Sequence, residues 1–218
     1  MFRNCLTILC CVFVFSPATN AASPTDTISR NSLLYNGVEY TRGYNYFNEL
    51  PYFQGIDFLP GEVLYTGNLY KGVELQYDCI DDVVLLKDPI RVRKIRLITE
   101  KVDAFSIGTH NFIRLNIPGM QVGFYEQLYK GKRSVLVQWK KNIVRDLALQ
   151  EKYVLTKTTY LLDGNNLVKI TKAADLTKLM GDKKRKVQQF YRDSDLSFRS
   201  DPETATFKLV QKAEAEGW

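Results

Sequence analysis

The stretch Lys71–Leu86, KGVELQYDCIDDVVLL, decides the fold class. In Val73-Glu74-Leu75-Gln76-Tyr77 the apolar residues fall at every second position, the period of a strand with one buried face. Val83–Leu86 is apolar on both faces and reads as a central strand, while Asp78, Asp81 and Asp82 around Cys79 mark the turn between the two. Ahead of this pair, Lys71-Gly72 supplies the glycine that a tight turn needs, as do Asn36-Gly37, Lys130-Gly131 and Asp163-Gly164. Four hairpins follow from these dipeptides. Three of them share the local string Leu-Tyr-x-Gly, starting at Leu34, Leu69 and Leu128. The unequal spacings, 35 and 59 residues, exclude a solenoid or propeller of fixed period.

Working outward, strands are predicted at 63–65, 102–107, 112–117, 122–129, 134–139, 153–162 and 167–170. Ile90-Arg91-Val92-Arg93 also alternates, but Ile95 and Leu97 resume in the opposite phase, so a β-bulge is expected near Lys94. From Thr171 the period becomes helical. Thr171 and Asp182 are expected to cap two short helices separated at Gly181, and Asp201-Pro202 opens a third. The reading is a mainly β (α+β) fold: an antiparallel meander of about ten strands, curled into a sandwich or half-open barrel, with a C-terminal three-helix segment. The β domain spans 32–170 and the helical segment 171–218, packed on the β domain.

The first residues set the compartment. Arg3 precedes the apolar run Cys5–Phe15, which is too short to span a membrane, and Thr19-Asn20-Ala21 offers a small-x-small cleavage site. Residues 1–21 therefore read as a removed signal peptide and 22–31 as a flexible leader, giving a periplasmic or secreted location without a lipid anchor or transmembrane span. Here the periplasm is the non-secreted alternative. Of 4 cysteines only Cys79 then remains, so no internal disulfide can form. The net charge of +6 drops to +5 with the loss of Arg3. In an exported protein this mild basicity points to anionic glycan or lipid head groups rather than nucleic acid.

The order of signal peptide, LYKGVELQYD (69–78), GFYEQLYKGK (123–132) and GDKKRKVQQFYRDSDLSF (181–198) resembles a group of exported Bacteroidetes proteins of unassigned role. The resemblance covers nearly all of the chain beyond residue 21, most specifically 181–198, and implies a cell-envelope or secreted setting without supplying catalytic residues.

The inventory of chemistry is narrow. With 1 His and one retained Cys, a zinc-type site lacks ligands, and calcium at Asp78, Asp81 and Asp82 lacks the alternating loop and closing glutamate. These acids read as a solvated turn, and no metal or cofactor is expected. Cys79 and His110 are the only pair able to form a thiol–imidazole dyad. The enzyme alternative is accordingly a small hydrolase using Cys79 with His110, or a carboxylate pair. Gly43–Gly61 concentrates aromatics, and Tyr44, Tyr46, Tyr52 and Phe53 would either stack on a ligand or close the end of the sheet as a buried plug, the favoured reading. Arg91, Arg93 and Arg96 would line one strand face, as an anion stripe or, preferably, as edge protection. Lys183–Lys186 reads as the wet side of an amphipathic helix that could approach an anionic membrane surface. The leading function is a soluble envelope binding or accessory module for an unknown protein or glycan. A small-ligand carrier using the interior of the rolled sheet is the alternative.

Overall fold

The computed structural model describes residues 33–41, 50–117, 120–145 and 150–218. The expected signal peptide, the leader, Tyr44 and Tyr46 lie outside the described residues. Among the described residues, eleven antiparallel strands form one sheet: β1 (Val38–Glu39), β2 (Leu59–Tyr65), β3 (Asn68–Asp78), β4 (Val83–Lys87), β5 (Lys94–Arg96), β6 (Val102–Ile107), β7 (His110–Leu115), β8 (Gly123–Lys130), β9 (Arg133–Arg145), β10 (Glu151–Asp163) and β11 (Asn166–Ile170). Their order is β1-β5-β4-β3-β2-β6-β7-β8-β9-β10-β11, a meander with one return, because β6 leaves β5 and pairs with β2. The fold is mainly antiparallel β with three C-terminal helices, and the sheet is not closed. It nevertheless curls until the end of β3 reaches β9, where the Lys141 amide donates to the Cys79 carbonyl at 3.0 Å.

The curl encloses an aromatic interior. Phe53, Tyr77, Phe105, Phe112 and Phe124 are buried there, with Trp139 packed against them. Between β2 and β6 the backbones approach closely at Gly61, where a Cβ would overlap the Ser106 carbonyl. Residues of one parity on β9 show how the cores connect. Val135 lies beneath the C-terminal helices while Trp139 points into the roll, so roll and helices share one face of the sheet. The opposite face of this region buries Tyr125, Leu136, Tyr160 and Leu167.

The helices are α1 (Ala173–Leu179), α2 (Lys184–Asp193) and α3 (Pro202–Ala215). Asp201 caps α3 as its Oδ1 accepts from the Thr204 amide at 2.9 Å, with Pro202 at the first helical position. At α1 the cap differs from the Thr171 expectation. Asp175 reaches back, accepting from the Thr171 and Lys172 amides at 2.8 and 3.0 Å. Likewise Asp182 falls inside a 3₁₀ turn, Gly181–Lys183, that runs into α2. None of the helices among the described residues is long and apolar enough to cross a membrane.

Three local readings are corrected. Asn36-Gly37 makes no hairpin turn; it follows a 3₁₀ turn and leads into β1, whose partner is the distant β5. Lys71-Gly72 lies within β3, where Gly72 (φ +65°) is left unopposed because Gly61 pairs with Val73 and Glu62 with Lys71. The β2–β3 turn falls instead at Thr66-Gly67, both at positive φ, the geometry that matches the twist of two paired strands. Ile90–Arg93 forms a loop, so the parity change near Lys94 marks where β5 begins rather than a bulge inside a longer strand.

Candidate functional site: a charged cleft at the seam of the roll

Where the curled sheet meets itself, the β3–β4 turn faces the start of β8 and the middle of β9 across a cleft of about 370 Å³. Asp82, Arg96, Glu100, Arg114, Gln138 and Lys140 line it, brought from five separate segments of the chain. Arg96 ends β5, Arg114 lies on β7, and Gln138 and Lys140 share one face of β9. Two larger grooves, about 500 and 770 Å³, lie among the helices. Both are shaped by exposed helix faces, whereas the seam cleft gathers charge from the sheet itself.

Asp82 organises the seam. It adopts φ +55°, an uncommon conformation for a residue with a Cβ, and its carboxylate accepts from the Tyr77 hydroxyl at 2.6 Å and, at 3.3 Å, from the Phe124 amide. Gly123 makes this approach possible, since a Cβ there would press on Asp82 Oδ2. Burial raises the Asp82 pKa above the ordinary carboxylate value, against the opposing pull of the Tyr77 and Phe124 hydrogen bonds and of Lys140 and Arg114. Asp78 is fully buried, and burial raises its pKa too. Its Oδ1 accepts from the Ile80 and Asp81 amides at 2.8 and 3.1 Å, and its Oδ2 from the Tyr40 hydroxyl at 2.7 Å. The acidic turn is therefore an internal lock, not the solvated turn expected from its composition.

A stability prediction follows from Asp82. A carboxyl whose folded pKa lies above its unfolded value lowers stability as pH rises through the carboxylate range. Asparagine tolerates positive φ and can keep an oxygen toward Tyr77. Asp82→Asn is thus expected to raise the thermal midpoint near pH 7, with the gain shrinking below about pH 3.5, where aspartate is neutral in both states. A midpoint lower than wild type near pH 7 but not at acid pH would show that the charge itself holds the seam.

Cations at the cleft contrast with those elsewhere. Arg93, Arg133 and Arg145 hold carboxylates at 2.5, 2.9 and 2.8 Å. By comparison, Arg96, Arg114 and Lys140 make no side-chain hydrogen bond or ion pair among the described residues, and Arg114 Nε is buried without a partner.

The other predicted site residues are dispersed. Tyr52 and Phe53 are 5% and 4% exposed, too buried to stack on a ligand from solvent. They form the plug: Phe53 donates its amide to the Tyr77 carbonyl at 2.8 Å, and Lys141 Nζ donates to the Leu50 and Tyr52 carbonyls at 2.6 and 3.1 Å. Arg91, Arg93 and Arg96 share no strand face: Arg91 is exposed on the loop, Arg93 folds back onto Asp88, and Arg96 alone reaches the cleft. Cys79 is buried and its thiol is pushed up, chiefly by burial, with Asp78 and Asp82 adding to the effect. No hydrogen bond joins it to His110, whose Nδ1 meets Glu126 at 2.5 Å and whose Nε2 meets Gln54 at 2.7 Å. That arrangement supplies neither a thiolate nor a free base. Arg114, Gln138, Lys140 and Glu100 carried no local signal in the sequence, because only the curl of the sheet assembles them.

Comparison with known protein families, with curated proteins and with solved structures found no match in any of the three.

Proposed function

We propose that the chain is an exported cell-envelope module that binds a carboxylate-bearing saccharide in the seam cleft. The observation that carries this reading is the convergence of Arg96, Arg114 and Lys140 without carboxylate partners, beside an aspartate already occupied by Tyr77 and Phe124. Guanidinium groups match a carboxylate through paired donors. Gln138 and Glu100 on the same walls offer acceptors for sugar hydroxyls, so a uronic-acid sugar satisfies both kinds of group. Export, an envelope address and kinship with the Bacteroidetes proteins belong to the same proposal. The carrier alternative is less well supported, since aromatic side chains fill the interior of the roll.

Trp139 lines the cleft and is one of 2 tryptophans, so a Trp218→Phe variant isolates its fluorescence. Titration with trigalacturonate is expected to change that signal saturably, while maltotriose leaves it unchanged. Arg114→Gln should weaken binding about tenfold or more, as for a lost charge-assisted hydrogen bond of ~1.5–3 kcal/mol. Equal responses to the acidic and neutral sugars, or an unchanged affinity in the Arg96→Gln, Arg114→Gln double variant, would remove the proposal.

A further inference from the structure

The loop between β4 and β5 presents a different surface. Ile90 and Val92 are 83% and 110% exposed, the two most exposed large apolar side chains among the described residues. They stand two residues apart on a tip that is held in shape from below. Asp88 Oδ1 accepts from the Ile90 and Arg91 amides at 2.9 and 3.1 Å, its Oδ2 accepts from Arg93 Nε at 2.5 Å, and the Asp88 amide donates to the Arg93 carbonyl at 3.2 Å. Asp88 is only 8% exposed in the folded chain. Arg93, followed by the two backbone amides, holds its pKa down to about 2, so this clasp persists across the physiological range.

Burying an apolar side chain that is already ordered costs less conformational entropy than burying one on a loose loop. The charge around the tip indicates what it would enter. Lys87–Arg96, KDPIRVRKIR, carries five cations against a single acid. Arg93 is held by that acid, Lys87 by Glu74, Lys94 donates to Tyr52 and Gln76, and Arg96 lines the seam cleft, which leaves Arg91 as the cation of the tip itself. Arg91 is exposed between the two apolar side chains. An apolar point that carries an exposed arginine on a net-basic segment is complementary to the boundary between anionic head groups and acyl chains. A protein pocket of matching chemistry would need both an apolar floor and several acids.

We propose that the 88–93 loop is a membrane-anchoring tip that inserts Ile90 and Val92 into an anionic lipid surface, with Arg91 contacting the head groups. The surface is separate from the seam cleft and does not depend on its ligand. Residues 22–218, which contain the compact unit Leu33–Trp218, would be sedimented with phosphatidylcholine vesicles and with vesicles holding 30% phosphatidylglycerol.

Binding is expected only to the anionic vesicles and should fall steeply between 0.05 and 0.5 M salt, as screening removes the charge term. Ile90→Ser with Val92→Ser should reduce partitioning about tenfold or more, and Arg91→Glu should reduce it as well. Both exposed-site variants should keep the wild-type thermal midpoint. Absence of sedimentation with anionic vesicles overturns the proposal, as does undiminished sedimentation of the Ile90→Ser, Val92→Ser variant. A tip that instead serves a protein pocket would give the first of these results.

Discussion

Phe112→Ala is expected to destabilise the protein by about 3–5 kcal/mol, the range for removing a buried phenylalanine. Phe112 is 1% exposed and lies stacked on Phe105, with ring centroids 4.6 Å apart and planes 6° from parallel. Phe53 meets it edge-on at 5.2 Å and Tyr77 lies tilted at 5.3 Å. These neighbours come from β6, the plug and β3, each with its own backbone ladder or tie. They cannot all move inward to fill the space a benzyl group leaves. Urea denaturation should show the midpoint falling with little change in slope. Phe112→Leu, retaining much of the volume, should lose appreciably less. A cost below about 1 kcal/mol for alanine would mean that the interior collapses readily, contrary to the dense interlocking expected of a core.

That interior was partly legible in the sequence. Alternation in 73–77 identified a strand and its buried face because period-two burial leaves a local mark. The sequence also favoured burial of the Tyr52-Phe53 segment, and the plug has that geometry. Glycine was a less reliable guide. A positive φ serves a bulge as well as a turn, so Lys71-Gly72 looks the same in either role, and only pairing with Gly61 and Glu62 distinguishes them. Ile90 and Val92 mimic a strand for a related reason. β-branched residues favour extended backbone, but the Asp88 clasp sets a loop that propensity does not register. The seam cleft left almost no trace. Its members stand far apart in sequence, and Asp82 gains its role through contact with Phe124 on another strand.

The plug supplies the second large expectation. Glu126, only 5% exposed, accepts from Trp139 Nε1 at 2.6 Å and is hydrogen-bonded to His110 Nδ1 at 2.5 Å. His110 Nε2 in turn meets the Gln54 amide at 2.7 Å, so one polar chain links β9, β8, β7 and the plug. Glu126→Leu would leave the indole and imidazole without their acceptor. At ~1–3 kcal/mol for each unsatisfied buried group, and with His110 partly open to water, a total loss of about 2–4 kcal/mol is expected. Glu126→Gln keeps one oxygen for Trp139, while its amide can donate to a neutral imidazole protonated on Nε2, provided that Gln54 turns its carbonyl oxygen to accept from that Nε2–H; its cost should be nearer 1 kcal/mol. Local opening should follow the same order. In the leucine variant the Phe53 amide, bonded to the Tyr77 carbonyl, should exchange with solvent faster than the amides of β6. Equal stability of the two variants would mean that the shape of the side chain fastens the plug. A leucine variant that unfolds earlier and exposes Phe53 first would assign that task to the hydrogen bonds, with Gln54 as the link through which the strands hold the loop.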